Sequence, residues 1–483
     1  MGKITIVGLG PGALDHLTME AWKVLNESEA IWLRTRHHPT VSELPDRLQI
    51  HSFDSIYEER EAFSEVYDTI AREVFELGER SEGVLYGVPG HPLVGEATVT
   101  RLLALAREAE LSVHVVEGLS FVEPTLTALE VDALAGLQIY DAIELAGLYY
   151  PLLNPDCPVL IGQLYDRRLA SDVKLTLMGQ YPDEHTVALV HAAGTSKEAV
   201  EYLPLYEIDR RDEVSHLTSL FVPAFSGVTS FEGMQNTVAH LRAPGGCPWD
   251  REQTHESLRG SLLEEAYETV SAIDNGDLEG LREELGDLLL QVVIQTQIAI
   301  EMEEFRMVDV ISGIVSKLKH RHPHVWGGRS VSGTGEVLRR WEELKKEEKG
   351  TKEGASSVLA GVPVALPALQ QADTYSRRAA RVGFDWSGTE GVVEKVLEEL
   401  KELQDAETPE EKEAELGDLL FAVVNWARWL DLDPETALRQ ANARFKRRFT
   451  DVERMAEENG VNLDTLSIDE LEDLWQKAKD KEA

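Results

Sequence analysis

Two stretches of this chain repeat one arrangement of acidic side chains, and the repeat restricts the fold more than any other feature. The first reads Leu263-Glu264-Glu265-Ala266-Tyr267-Glu268, followed by Glu284-Leu285-Gly286-Asp287. The second reads Leu397-Glu398-Glu399-Leu400-Lys401-Glu402, followed by Glu415-Leu416-Gly417-Asp418. Glu265 and Glu268 are three positions apart, as are Glu284 and Asp287, Glu399 and Glu402, and Glu415 and Asp418. Residues so spaced share a helix face. Two such helices packed antiparallel aim both pairs at one place, where like charge raises every pKa unless a cation sits among them. Hard oxygen ligands in this number suit Mg2+ or Mn2+. A single Glu-Glu-x-x-Glu stretch also describes a solvated acidic helix face. The second pair of each copy resists that reading, because it interrupts apolar helices (LGDLLLQVVIQ and LGDLLFAVVNWA) where an isolated carboxylate is costly to bury.

The two copies continue in the same order. After the acidic pairs comes a basic pair, Lys317 and Arg321 in the first copy and Arg444 and Arg448 in the second. An aromatic residue and a lysine follow, Trp341 with Lys345 and Trp475 with Lys479. Arginine and lysine take phosphate oxygens that metal ions leave free. The tryptophans either stack on a base or anchor the core. Asn275-Gly276-Asp277 and Glu407-Thr408-Pro409 break the helices, and the segment Lys345–Ser357 is charged and linker-like. There is no G-x-x-x-x-G-K-[ST] phosphate loop. His320, His322 and His324 flank Pro323 as a helix stop does, and Cys247 sits in a Gly/Pro turn with no activating base beside it. The second copy has the denser basic partner (Arg444, Lys446, Arg447, Arg448) and is expected to carry turnover, the first to bind metal and serve packing or assembly.

The N-terminal part has another character. Strand-like runs at 3–7, 84–86, 112–116, 159–161 and 186–190 alternate with helical stretches, the first predicted over Leu17–Leu33, which implies an α/β domain. Three of these strands end in glycine-bearing loops: Gly8-Leu9-Gly10-Pro11-Gly12, Gly87-Val88-Pro89-Gly90-His91-Pro92 and Glu117-Gly118-Leu119-Ser120. Ligands of open α/β sheets collect at the carboxyl ends of strands. Pro11 stands where a dinucleotide fingerprint needs close backbone approach, so that motif is not matched. His91 is either a proton shuttle or a structural loop residue. From Pro223–Gly227, which reads as a linker, the periodicity turns helical.

A length of 483 residues calls for several domains. The net charge of −40 argues against gripping duplex DNA or RNA through a broad basic surface. No apolar run approaches the roughly 20 residues of a membrane span, and MGKITIVGLGPG reads as a strand entering a loop, not a signal peptide. Cys157 and Cys247 lie far apart, so no disulfide and a reducing cytoplasm are expected.

Residues 1–225, with VGLGPG, the glycine-proline loop and VVEGLS, resemble the tetrapyrrole (corrin/porphyrin) methylase family. The resemblance implies S-adenosylmethionine as cofactor, held near Gly8, Gly10, Gly12, Val88, Pro89, Gly90, Gly118 and Ser120. The second loop departs from the Gly-Asp-Pro of many members, which bears on the substrate. Residues 228–350 and 357–483, with CPWDREQTHESL, RHPHVWGG, RWEELKKEE, VGFDW and LWQKAK beside the stretches already quoted, resemble the MazG family in its two-copy form. That resemblance implies an all-α helical-bundle fold, usually dimeric, and Mg2+-dependent hydrolysis of nucleoside triphosphates to monophosphate and pyrophosphate. By position the metal ligands are Glu265, Glu268, Glu284, Asp287, Glu399, Glu402, Glu415 and Asp418, the last four catalytic; Lys317, Arg321, Trp341, Lys345, Arg444, Arg448, Trp475 and Lys479 take substrate. The whole chain resembles the YabN-type fusion: multidomain, α/β followed by all-α repeats. The alternative is a methyltransferase whose helical part only dimerises or regulates.

Overall fold

The computed structural model describes residues 2–59, 63–328, 333–337, 340, 341, 344 and 357–482. Lys345 and the linker-like segment up to residue 356 lie outside the described residues. The chain forms two compact units, Met1–Val310 and Ile311–Ala483. The division falls within the Met307–Arg321 helix, whose only buried residue is Met307.

The first unit opens with a parallel sheet. Strands β1 (Lys3–Gly8), β2 (Ala30–Leu33), β3 (Gln49–Ser52), β4 (Val84–Val88) and β5 (Ser112–Val116) lie in the order β3-β2-β4-β1-β5. Parallel sheets persist only where both faces are covered. Ile4 and Ile6 pack under Val74 and Leu102 on one face, and Val7 packs with Leu25 and Leu33 on the other. The helix predicted to reach Leu33 ends at Glu27 instead. Thr18 caps its start by accepting from the Ala21 N–H at 3.1 Å. At its end the Ser28 hydroxyl donates to the Val24 carbonyl at 2.8 Å, and Ile31 and Leu33, both fully buried, run into the sheet as β2.

A second sheet follows: β6 (Gln138–Asp141), β7 (Val159–Gly162), β8 (Thr186–His191), β9 (Ala199–Pro204) and β10 (Thr218–Val222), in the order β6-β7-β10-β8-β9. Only its β6–β7 pair is parallel. Among the described residues no strand follows β10, as the change of periodicity predicts. Asp156 ties this sheet to the first helix beyond it. One of its oxygens accepts from the Thr229 N–H at 2.7 Å and the Thr229 hydroxyl at 2.8 Å, the other from the Ser230 hydroxyl. Ser230 in turn caps Phe231–Arg242.

The helical part is built from hairpins. Arg259–Asn275 ends at Gly276, whose φ of 66° needs no Cβ-bearing residue to be strained into the left-handed region. Asp277 then caps Leu278–Glu301, and these two helices pack together. Phe231–Arg242 covers the latter, with Val238 buried against Ile294 and Ile298. Arg242 pairs with Glu301 at 2.7 Å and also donates to the Asp250 and Gln253 carbonyls, which pins the turn around Pro248. In the second unit Thr389–Asp405 packs on Pro409–Trp429. Thr408 and Glu411 form a capping box with Pro409 inside it. Ala368–Ala380 lies against the Pro409–Trp429 helix, and Pro434–Glu458 packs on Ile468–Glu482. Both cysteines are free, and no helix among the described residues is long and apolar enough to cross a membrane.

Candidate functional site

Each hairpin brings three of its four predicted carboxylates together. In the first copy one oxygen from each of Glu265, Glu268 and Glu284 lies within 4.8 Å of the others. Asp287 joins them electrostatically. Partial burial, then Asp287 and Glu268, raise the pKa of Glu265; burial, then Glu268 and Asp287, raise that of Glu284. Carboxylates gathered in this way could hold a hard divalent cation.

In the second copy Glu399, Glu415 and Asp418 meet within 4.8 Å. Burial, then Glu402, Glu399 and Asp418, raise Glu415, so the fourth carboxylate acts here too. Glu399 is 5% exposed, and this copy has a feature that the spacing argument passed over. The Lys395 ammonium donates to Glu399 at 2.6 Å and to Glu398 at 2.9 Å. Those hydrogen bonds, to Glu399 first, raise the pKa of Lys395. A lysine one helical turn before an inward carboxylate is a legible signal. Four positions before Glu265 the first copy has Ser261.

The predicted substrate residues divide. Lys317 is exposed on the Met307–Arg321 helix, and the Arg321 guanidinium lies 5.4 Å over the Trp341 ring. All three belong to the second unit, and the first acidic set belongs to the first. Arg444 and Arg448 lie on Pro434–Glu458, Trp475 and Lys479 on the helix packed against it. The Trp475 ring sits 5.2 Å from Phe445 and packs, partly buried, against the cluster of Val452, Met455 and Ala478. His322 donates to the Leu318 carbonyl at 2.7 Å and closes its helix, as a helix stop requires.

In the α/β part the sheet order brings the three glycine loops together, because β4, β1 and β5 are neighbours. The Gly90 N–H donates to the Gly10 carbonyl at 2.8 Å. A Cβ on Gly8 would lie 2.6 Å from the Gly90 oxygen and 2.9 Å from Gly118, so side chains are excluded where the loops cross. Of the cofactor residues inferred from sequence, Pro89 and Gly90 line a cavity of about 310 Å3. Val88 instead points into the core, fully buried. The Ser120 hydroxyl is committed to Glu123 at 2.6 Å. His91 accepts from the Leu93 N–H at 3.0 Å, a loop-holding role.

The same cavity is lined by a group that sequence reasoning missed. Arg34 donates to Glu96 at 2.7 Å and to the Tyr57 oxygen at 2.9 Å. The other Glu96 oxygen accepts from Thr98 at 2.7 Å, and the Tyr86 hydroxyl lies 2.9 Å from that of Thr98. The pair spans 62 positions, so no local pattern announces it.

Comparison with known proteins finds one family for the α/β part and another within the helical part. Residues 3–209 match the Tetrapyrrole (Corrin/Porphyrin) Methylases family, and residues 253–326 match the MazG nucleotide pyrophosphohydrolase domain. The second match lies within the first copy and stops short of the second. The YabN protein of Bacillus subtilis is 42% identical over 490 residues, covering 100% of this chain and 99% of that one. The nucleoside triphosphate pyrophosphohydrolase/pyrophosphatase MazG of Thermotoga maritima is 47% identical over 249 residues, 52% of this chain and 95% of that one. That span is about the length of both helical copies together. A uroporphyrin-III C-methyltransferase structure from Thermus thermophilus overlaps 46% of this chain and 92% of its own, with 21% identity and a TM-score of 0.36. The chain belongs to the YabN family, in which a tetrapyrrole methylase domain is joined to a MazG nucleotide pyrophosphohydrolase region.

Proposed function

We propose that the helical half cleaves nucleoside triphosphates to monophosphate and pyrophosphate with Mg2+, or Mn2+ in its place. The observation that carries this reading is the convergence of acidic residues from two helices, twice in one chain. Glu265, Glu268, Glu284 and Asp287 would hold metal in the first copy, and Glu399, Glu402, Glu415 and Asp418 in the second. A divalent ion bound there neutralises a polyphosphate and makes water a better nucleophile. The chain's own part is to fix the carboxylates on rigid helices, while Arg444, Arg448 and Lys479 take phosphate oxygens. We assign turnover to the second copy for its basic partner helix. The first would serve metal binding and assembly. Half-exposed Leu285 and Leu289 in one copy, and Leu416 and Leu420 in the other, support a homodimer built on these helices. Pyrophosphate release from a panel of canonical and damaged triphosphates, with and without Mg2+, tests the reading; no release from any of them would sink it.

A second reading is carried by the crossing of Gly8, Gly90 and Gly118: the α/β domain binds S-adenosylmethionine and transfers its methyl group. Calorimetry on the intact protein tests it, and absence of binding would remove it.

A further inference from the structure

The cavity beside the glycine loops has a charge balance of its own. Among the described residues that line it, Arg34 is the one lysine or arginine, and Glu96 the one acidic residue. Glu96 is committed to Arg34: its side chain is 1% exposed, that of Arg34 17%, and their closest atoms are 2.7 Å apart. Thr98 occupies the second Glu96 oxygen. Burial acts most strongly on Arg34 and lowers its pKa, and the Glu96 charge together with Tyr57 and Tyr67 more than offsets it, so the guanidinium stays charged and compensated. Of the lining histidines, His38 is kept neutral by burial, its pKa lowered to about 4. Four aromatic rings, those of Tyr57, Tyr67, Phe121 and Tyr165, stand in the remaining wall among small and uncharged residues, with the Arg34 guanidinium 5.4 Å over the Tyr67 ring.

A carboxylate ligand entering this space meets a guanidinium already paired and a buried carboxylate beside it. It would lose hydration without gaining a free counter-charge. A cation meets the converse. An uncharged ring pays neither cost and gains aromatic contact along with the tyrosine hydroxyls.

We propose that this cavity takes an uncharged aromatic ligand, and that Glu96 sets the preference by neutralising Arg34. The inference rests on the reading of the α/β domain as a methyl-transferring one, and it names the class of molecule that lies beside the cofactor. It excludes ligands whose recognition depends on several carboxylates.

The test uses the full-length chain at about pH 8, where an ordinary imidazole is neutral. Binding of 4-hydroxybenzamide, 4-hydroxybenzoate and 4-hydroxybenzamidine, matched in ring and differing in charge, is measured by saturation-transfer NMR. The unaltered protein is expected to favour the amide. Glu96→Gln should shift the preference towards the benzoate by on the order of tenfold, the scale of a hydrogen bond to a charged group. Arg34→Gln should shift it towards the benzamidine to a similar degree, and this variant decides the matter if Glu96→Gln does not fold. Preference of the unaltered protein for the benzoate overturns the proposal. So does an unchanged ranking in a folded variant, or no binding of any probe to any of the proteins. Binding of the octacarboxylate uroporphyrin III by the unaltered protein overturns it as well. Calorimetry with S-adenosylhomocysteine runs separately: no binding there, with the charge preferences intact, sinks the cofactor reading and the placement beside a cofactor, and leaves only the cavity's charge preference standing.

Discussion

The two acidic sets carry matching carboxylate pairs, and a lysine stands against the second. Around Glu265 and Glu284 the charges that raise the pKa are other carboxylates. Around Glu399 an ammonium, Lys395, already stands at 2.6 Å. A bound divalent ion therefore relieves repulsion in the first set. In the second it has to share Glu399 with a cation that the chain supplies. The repeat specifies where carboxylates gather, and residue 261 or 395 specifies what charge they meet before any metal arrives.

The largest expected effect separates the copies outright. Glu399→Ala with Glu415→Ala should lower pyrophosphate release by more than the roughly 10–100-fold that loss of a metal's outer-sphere partner costs. Retained release would move turnover to the first set. Release that survives adding Glu265→Ala and Glu284→Ala in the same protein would mean that neither set is the site.

Thermal unfolding sharpens the comparison at the next level. Mg2+ at a hundred times its dissociation constant should stabilise a site that binds it only when folded by about 2.7 kcal/mol. Glu265→Ala with Glu284→Ala should take away much of the Mg2+-induced rise in Tm; an undiminished rise would show that the first set does not hold the ion.

Exchanging the distinguishing residue is a smaller perturbation. Lys395→Met leaves a buried Glu399 without its cation, and the metal-free Tm should fall by about 2–4 °C. Ser261→Lys should make the first set resemble the second, with a higher metal-free Tm and a smaller response to Mg2+. If both substitutions leave both quantities unchanged, the contrast between the copies has no energetic content.

The smallest effects appear in the pH dependence, and two groups of carboxylates act in opposite directions. Glu265, Glu284 and Glu415 have raised pKa values in the folded chain. They therefore destabilise it above the ordinary carboxylate range, and that penalty is relieved as pH falls through their folded values. With EDTA present, Tm should hold or rise slightly as pH drops from neutrality towards 5, and alanine at Glu265 and Glu284 should flatten that trend. Asp156 is lowered from 3.8 to about 2, by its hydrogen bond to the Ser230 hydroxyl first of all. Its contribution is complete above the ordinary value and is lost as pH falls through about 2. Asp156→Asn should remove the part of acid sensitivity that lies in that window; an unchanged acid limb would deny Asp156 a role at the junction.

Much of the fold was legible in local pattern. The strand-like runs at 3–7, 84–86, 112–116, 159–161 and 186–190 all lie within strands. The breaks at Gly276 and Thr408 fall where the helices end and begin, because a left-handed C-cap and a proline inside a capping box are set by neighbouring residues. Other strands were not legible. Ala30–Leu33 continues a helical-looking stretch and becomes a strand through burial of Ile31 and Leu33 in the sheet. Gln49–Ser52 is a short polar edge strand with little β signal of its own. The contact of Trp475 with Phe445 joins two helices and was not legible in either of them.

By itself the sequence determined which side chains share a helix face and which loops carry glycine, since both follow from backbone geometry over a few residues. That was enough to place the acidic sets and to separate an α/β half from a helical one. Only the tertiary structure decided which charges meet. It packed three glycine loops so closely that Gly8, Gly90 and Gly118 exclude side chains, and it paired Arg34 with Glu96 across 62 positions. Charge interactions depend on distance through space and on burial, and neither is written in the distance along the chain.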